Sequence, residues 1–275
     1  MTTAASTTTD AYLFGYQPDL GDLEHRRLTA LTQLFDPATR RLLRHIGVTR
    51  GWRCLEVAAG TGSVAAWLAD QVGPEGEVYA TDVDLSQLGQ LPPNVAYAEH
   101  DIVTDSLPAA TFDVVHTRLL LEHISGRETA LARMAAAVRP GGYVLVEEAE
   151  MSPQAIELIA KYAPLAGRDL GVTTLRTMTA LLAAAGADMG YASTLPEAVR
   201  RAGLEFVGGE VHSPIVGGGE TLDFGRLTLM VLRRHAVAAD LMSDAEVDAF
   251  LRMTLDPGTQ YVPFLMTSVW ARRPA

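Results

Sequence analysis

The chain has 275 residues, 48% of them hydrophobic and 20% charged, with a formal net charge of −11 at pH 7. That length supports a substantial core, and the acidic balance argues against a nucleic-acid partner, whose phosphates demand a basic face. No apolar run reaches the ~18–20 residues of a membrane span, and the single cysteine, Cys54, excludes an internal disulfide; both suit a cytoplasmic protein without a membrane partner.

Residues 1–10 are rich in Thr, Ala and Ser, without the basic flank and apolar run of a signal peptide, and are expected to be a disordered terminus. Over 22–47, Leu23, Leu28, Leu31, Leu34 and Phe35 recur at helical spacing. Asp36-Pro37 then predicts the start of a second helix, with proline in its first turn. Strands are predicted near 53–58, 77–82, 95–99, 112–117 and 142–148, alternating with helical segments at 63–72, 85–89 and 127–138. The strands carry little period-two alternation, as expected for a parallel sheet covered on both faces, and the order of elements predicts an open α/β fold.

Beyond residue 150 the rhythm changes. Residues 153–190 read as helical, with Gly167, Gly171 and Gly186 as breaks, followed by a helix over 195–202 and a strand over 205–211. A Gly218-Gly219 turn precedes helical stretches at 222–239 and 243–253, and the last strand spans 264–272. No stretch is rich enough in Pro, Gly or Ser to separate domains. One domain over 11–275 is expected, with helical insertions at 151–194 and 217–258 lying on the sheet as a cap.

The densest chemical signal is Glu56-Val57-Ala58-Ala59-Gly60-Thr61-Gly62-Ser63, between a predicted strand and a predicted helix. Glycines at such a turn let backbone approach a ligand closely. Asp82, 20 residues beyond Gly62, ends the next strand, so the pair can hold a nucleoside by its ribose hydroxyls. Gly60-x-Gly62-x-x-Ala65 also satisfies the dinucleotide fingerprint. Glu56 argues against that reading, because a carboxylate before the turn repels a pyrophosphate and suits a cationic amino group. After the third strand, Glu99-His100-Asp101-Ile102 offers a carboxylate and an amide to an adenine edge.

With Phe112 to Thr117, then Arg118 to Ile124, then Leu131 to Val138 and Arg139-Pro140-Gly141-Gly142 in this order, the chain resembles the class I S-adenosylmethionine-dependent methyltransferases. The likeness covers residues 50–150. The opening Tyr12-Leu13-Phe14-Gly15, with Glu24, Arg27 and Leu28, is similar to the N-terminal helices of bacterial small-molecule members. The resemblance implies a Rossmann-like, seven-stranded, mostly parallel sheet with helical cap insertions and a closing antiparallel strand pair. Residues 11–47 would form a helical cover, 48–150 the cofactor-binding core, and 205–216 with 259–275 the closing strands.

It also implies S-adenosyl-L-methionine as cofactor. Glu56 would orient the methionine amino group, and Ala58, Gly60 and Gly62 would form the turn beneath the methionine and ribose. Asp82 would accept the ribose hydroxyls and Val83 would lie by the adenine. Asp101 and Ile102 would take the adenine edge, the Thr117 backbone would meet the sulfonium side, and Tyr12 would cover the ligand. Ala59 departs from the small Cys or Gly common in the family, a tolerable change.

The acceptor is less legible. His123, just past the fourth strand, and Glu148 or Glu150, at the end of the fifth, are candidate bases, with His25 and Tyr16 as candidates from the N-terminal cover. Alternation along the strand sends Glu147 and Glu148 to opposite faces. No His/Cys/Asp/Glu cluster has metal-ligand spacing, so metal-independent chemistry is expected. Leu- and Met-rich cap segments suit a small, partly hydrophobic metabolite, methylated on O, N or C in natural-product biosynthesis. A non-methylating cyclisation or rearrangement on the same cofactor is the alternative; a homodimer is left open.

Overall fold

The computed structural model describes residues 22–163, 167–219 and 224–275. Strands β1 (Arg53–Val57), β2 (Glu77–Asp82), β3 (Val95–Glu99), β4 (Phe112–Arg118) and β5 (Val138–Glu150) pair in parallel in the order β3-β2-β1-β4-β5. The sheet continues into β9 (Leu265–Arg272) and β6 (Glu205–His212). β9 pairs antiparallel with both neighbours, so it is the reversed strand in a Rossmann-like sheet of seven.

Alternate strand residues feed two cores. Cys54, Val78, Val114 and Leu145 meet α2 (Ser63–Val72) and the C-terminal half of α1 (Leu23–Ile46). Leu55, Val115, Val144 and Val146 meet α3 (Arg127–Ala137) and α6 (Leu195–Arg201). Burial on both faces explains the unbroken apolar runs. Strand order reverses between β1 and β4, which places a crevice at their carboxyl ends.

A third core holds the cap. Helices α4 (Pro153–Ala160), α5 (Arg168–Ala184), α7 (Phe224–Ala238) and α8 (Asp244–Leu255) pack with the N-terminal half of α1 above those strand ends. Ser243 and Glu246 close a capping box at the start of α8, which fixes where that helix begins.

Several predicted boundaries change. The two helices expected over 22–47 are one 24-residue helix with Pro37 inside it. Proline removes one helical hydrogen bond, but the buried stripe of Leu31, Phe35, Leu42 and Leu43 continues across it. Asp36 is also fastened to Arg118 and Arg40, which holds the turn in place. Gly171 lies within α5 and does not interrupt it, whereas Gly167 stands at its N-terminus. β5 extends to Val138–Glu150 and absorbs Arg139-Pro140-Gly141-Gly142. A two-stranded pair missed in the sequence, β7 (Val216–Gly217) with β8 (Gln260–Tyr261), flanks the second predicted insertion. Among the described residues, no helix is long and apolar enough to cross a membrane.

Candidate active site

The strand-to-helix turn after β1 is left-handed at three positions: Ala58 at φ 59°, Gly60 at φ 53° and Gly62 at φ 77°. For an alanine this conformation costs roughly 1–2 kcal/mol, a strain retained where backbone must meet a ligand. Ala58 and Gly60 line the cleft, and a Cβ added at Gly60 would meet nothing within 4 Å, so it would project into open space. Gly62 lies one step back, where a Cβ would come within 2.8 Å of Leu91 and 2.9 Å of Leu88. Its role is packing at the start of α2.

Asp82 closes β2 beside this turn. Its Oδ2 accepts the Gly60 N–H at 2.8 Å, and its Oδ1 accepts the Asp84 N–H at 3.2 Å. Burial raises its pKa, partly offset by these N–H groups. Each oxygen retains acceptor capacity toward the cleft. Val83 is exposed beside it, and Ile102 is buried, both on the cleft wall. Asp101 Oδ1 accepts the Val103 N–H at 2.8 Å, which holds this carboxylate at the cleft edge.

Glu56 is 4% exposed and lines the cleft floor. Its Oε2 lies 2.8 Å from Nδ1 of His116, its register partner on β4, while Oε1 has no hydrogen-bond partner among the described residues. Burial raises the Glu56 pKa against the pull of His116. The other ring nitrogen of His116 lies 3.0 Å from Glu147 Oε2. Burial disfavours the charged imidazole, but the two carboxylates overcome it and lift His116 to about 9. Burial likewise opposes charge on Glu147, and His116, Arg118 and Thr39 overcome it and hold that carboxyl at about 2.

Thr117, expected at the cleft, is fully buried below it, and its hydroxyl donates to the Val57 carbonyl at 3.0 Å. Arg118, Leu119 and Leu120 take the wall position instead, and Leu119 is left-handed at φ 56°. This turn points the chain over the cleft into a 3₁₀ segment, Leu121–His123, that rests on Glu148. Glu148 accepts the Leu121 N–H at 2.8 Å and the Glu122 N–H at 3.3 Å, and is fully buried away from the cleft. Burial and the nearby Glu122 raise its pKa well above the usual carboxylate range. Both of its oxygens engage the loop, so it supports the site without facing it.

Glu150 is also outside the cleft wall and accepts the Ser152 N–H at 3.0 Å. His25 points to solvent, while Glu24, Arg27, Leu28 and Leu31 on the same helix line the cleft. Tyr12 and Tyr16 lie outside the described residues. His123 alone of the described base candidates reaches the cleft, with its Nε2 3.3 Å from Glu122 Oε1. Glu122 was missed in the sequence: its Oε2 accepts the Ala149 N–H at 2.7 Å, so β5 orients it at the cleft wall.

The cleft is continuous with a chamber under the cap, and together they enclose about 1080 Å³. Leu175, Met178, Leu182, Phe224, Phe250 and Phe264 supply much of the chamber wall. Its wall also carries the buried Glu24–Arg27 pair, joined by two 2.7 Å bonds, and the buried Thr174 and Thr228.

A crevice at a sheet switch point, a left-handed glycine turn, a carboxylate ending the next strand and an acidic floor together define a class I S-adenosylmethionine-dependent methyltransferase. The family described as Methyltransferase domain matches residues 20–190, and the chain belongs to it. S-adenosylmethionine is the cofactor of this class. The observed groups fit it: Gly60 faces open space, Glu56 has an oxygen without a partner among the described residues, and Asp82 retains acceptor capacity.

The ubiquinone/menaquinone biosynthesis C-methyltransferase UbiE of Ralstonia pickettii is 38% identical over 112 residues. That match spans 37% of this chain and 44% of the relative, less than half its length. An S-adenosylmethionine-dependent methyltransferase from Aquifex aeolicus superposes with a TM-score of 0.51 at 15% identity, covering 94% of this chain and 98% of that one. The [4+2]-cyclase SpnF gives 0.52 at 19% identity, covering 86% and 81%. At these identities the structural likenesses speak to the fold alone.

Proposed function

We propose that the protein transfers a methyl group from S-adenosylmethionine to a small, largely apolar metabolite bound in the chamber under the cap. The observation that carries this reading is the continuity of the nucleoside cleft with that chamber in one cavity of about 1080 Å³. A single small-molecule site takes roughly 300–1,000 Å³, so the space accommodates donor and acceptor together. Bound S-adenosylmethionine supplies an electrophilic methyl group on a sulfonium centre.

The chain's own residues then have separable tasks. Asp82 holds the ribose hydroxyls, Asp101 and the Ile102 amide take the adenine edge, and Glu56 holds the amino group. The apolar wall of α5, α7 and α8 excludes water and orients the acceptor, and positioning of this kind contributes ~7–11 kcal/mol when the geometry is good. His123 takes the acceptor proton where the acceptor is a hydroxyl or a carbon acid. Glu122, 3.3 Å away, orients the imidazole ring. The likeness to a quinone C-methyltransferase favours a ring carbon or its hydroxyl as acceptor, in a biosynthetic setting in the cytoplasm.

The test is incubation of purified protein with methyl-labelled S-adenosylmethionine and a panel of apolar aromatic and polyketide-like acceptors. Label in the product supports the proposal. Turnover of an acceptor to an unlabelled, rearranged product overturns it in favour of a cyclase.

A further inference from the structure

Beneath the cleft lies a bridge that the proposed chemistry leaves without a task. His116 is fully buried, forms no part of the cleft wall, and joins Glu56 at 2.8 Å to Glu147 at 3.0 Å. Glu147 is itself held by hydroxyl donors, Thr39 at 2.5 Å and Ser268 at 2.7 Å. Arg118 donates to Thr39 and to Asp36, each at 2.9 Å. Glu147 therefore keeps partners without His116. The Glu56 carboxylate does not: His116 supplies its only hydrogen bond among the described residues.

An imidazole can donate to two carboxylates at once only when both nitrogens carry protons. Both ring nitrogens lie within hydrogen-bond distance of a carboxylate oxygen, and against burial these carboxylates raise the His116 pKa, so it acts as a cation between two anions with a geometric effect on Glu56. It engages Oε2 and leaves Oε1 to the cleft. A buried carboxylate without such a partner takes up a proton or turns toward water. Either change removes the acceptor that an ammonium group needs.

We propose that His116 is a positioning residue that keeps Glu56 ionised and aimed at the amino-acid end of the cofactor, and so selects nucleosides carrying an α-amino group. The proposal rests on the reading of Glu56 as the amino-group partner. A bridge that only ties β1, β4 and β5 together would affect every nucleoside ligand alike.

The discriminating probes are S-adenosylhomocysteine, which carries the α-amino acid, and 5′-methylthioadenosine, which lacks it. Both are titrated calorimetrically into the full chain. In His116→Gln the amide serves Glu147 in place of Nε2 and abandons Glu56. The homocysteine ligand is expected to weaken by about tenfold or more, with the thioether nucleoside within about twofold. In His116→Asn the amide stands in for Nδ1, and the preference is expected to return to within about threefold of wild type.

Equal weakening of both probes in His116→Gln, or an unchanged preference, overturns the proposal. Glu56→Gln separates the two readings: if it leaves the preference intact, the assignment of Glu56 has failed rather than that of His116. Should His116→Gln not fold, ¹⁵N spectra of the wild-type imidazole decide. The His116 resonances are expected to move with S-adenosylhomocysteine and not with 5′-methylthioadenosine; identical responses overturn the proposal.

Discussion

Replacing Asp82 by Asn is the sharpest probe of the cofactor site. The Asp82 carboxylate accepts the Gly60 and Asp84 N–H groups and has acceptor capacity remaining toward the cleft. An amide has one oxygen, so its NH₂ takes either the Oδ2 position facing the Gly60 N–H or the Oδ1 position facing the Asp84 N–H and the ribose. Facing Gly60 breaks the turn contact, at a cost of about 1 kcal/mol and roughly 2–4 °C in Tm. Facing the ribose removes one charge-assisted bond worth about 1.5–3 kcal/mol, or roughly 10–150-fold in affinity. Calorimetric titration with S-adenosylhomocysteine measures the affinity, and circular dichroism melting reports the fold. A dissociation constant within about threefold of wild type in a folded variant would show that the ribose is held elsewhere.

Gly62→Ala combines a left-handed backbone with a Cβ 2.8 Å from Leu91, so Tm should fall by roughly 4–8 °C; an unchanged melt refutes the packing role. Leu175→Trp should fill part of the chamber, raising acceptor KM about tenfold while the S-adenosylhomocysteine dissociation constant stays fixed. If cofactor affinity falls in parallel, Leu175 borders the donor. His123→Ala should lower kcat by ~10²–10⁴ with little change in cofactor affinity, and the opposite pattern would make it a cofactor-loop residue. The folded pKa of His116, about 9, lies above its unfolded value of about 6.5. Its contribution, on the order of 3 kcal/mol, is therefore full below pH ~6.5 and lost as pH rises through ~9. Urea unfolding of wild type and His116→Asn should show a stability gap at pH 6 that closes by pH 10, and a constant gap refutes the charged bridge.

The cofactor half of the site was legible because its determinants are local. Strand, glycine turn, helix and the next strand's terminal carboxylate follow one another in the chain, and Glu56, Gly60 and Asp82 reach one cleft without long-range knowledge. The acceptor half depends on pairings that local pattern does not carry. Glu122 and Glu148 look interchangeable in the chain, and only the 3₁₀ segment at Leu121–His123 sends one to the wall and the other beneath it. His25 and Arg27 are separated by about half a helical turn, so one meets solvent and the other the chamber. His116 carried a readable signal that went unused. A carboxylate inside a strand buried on both faces demands a partner, and the parallel register of β1 with β4 supplies it directly opposite Glu56.

The strand register also explains why the cleft and the cap chamber share one cavity. Glu147 is the β5 end of the bridge, and its Thr39 contact reaches α1 beside the Asp36–Arg118 pair. α1 is thereby pinned to the cofactor floor by its C-terminal half. Its N-terminal half carries Glu24, Arg27, Leu28 and Leu31 into the chamber wall. A helix of 24 residues is about 36 Å long, enough to run from the sheet to the far side of the cap as one body. Continuity through Pro37 is what makes it one body: the two helices expected from the sequence would leave the chamber wall free to move against the cofactor floor. The polar anchor at Asp36 and Thr39 falls on either side of that proline, so the turn with the weakened helical bond is the one the sheet holds.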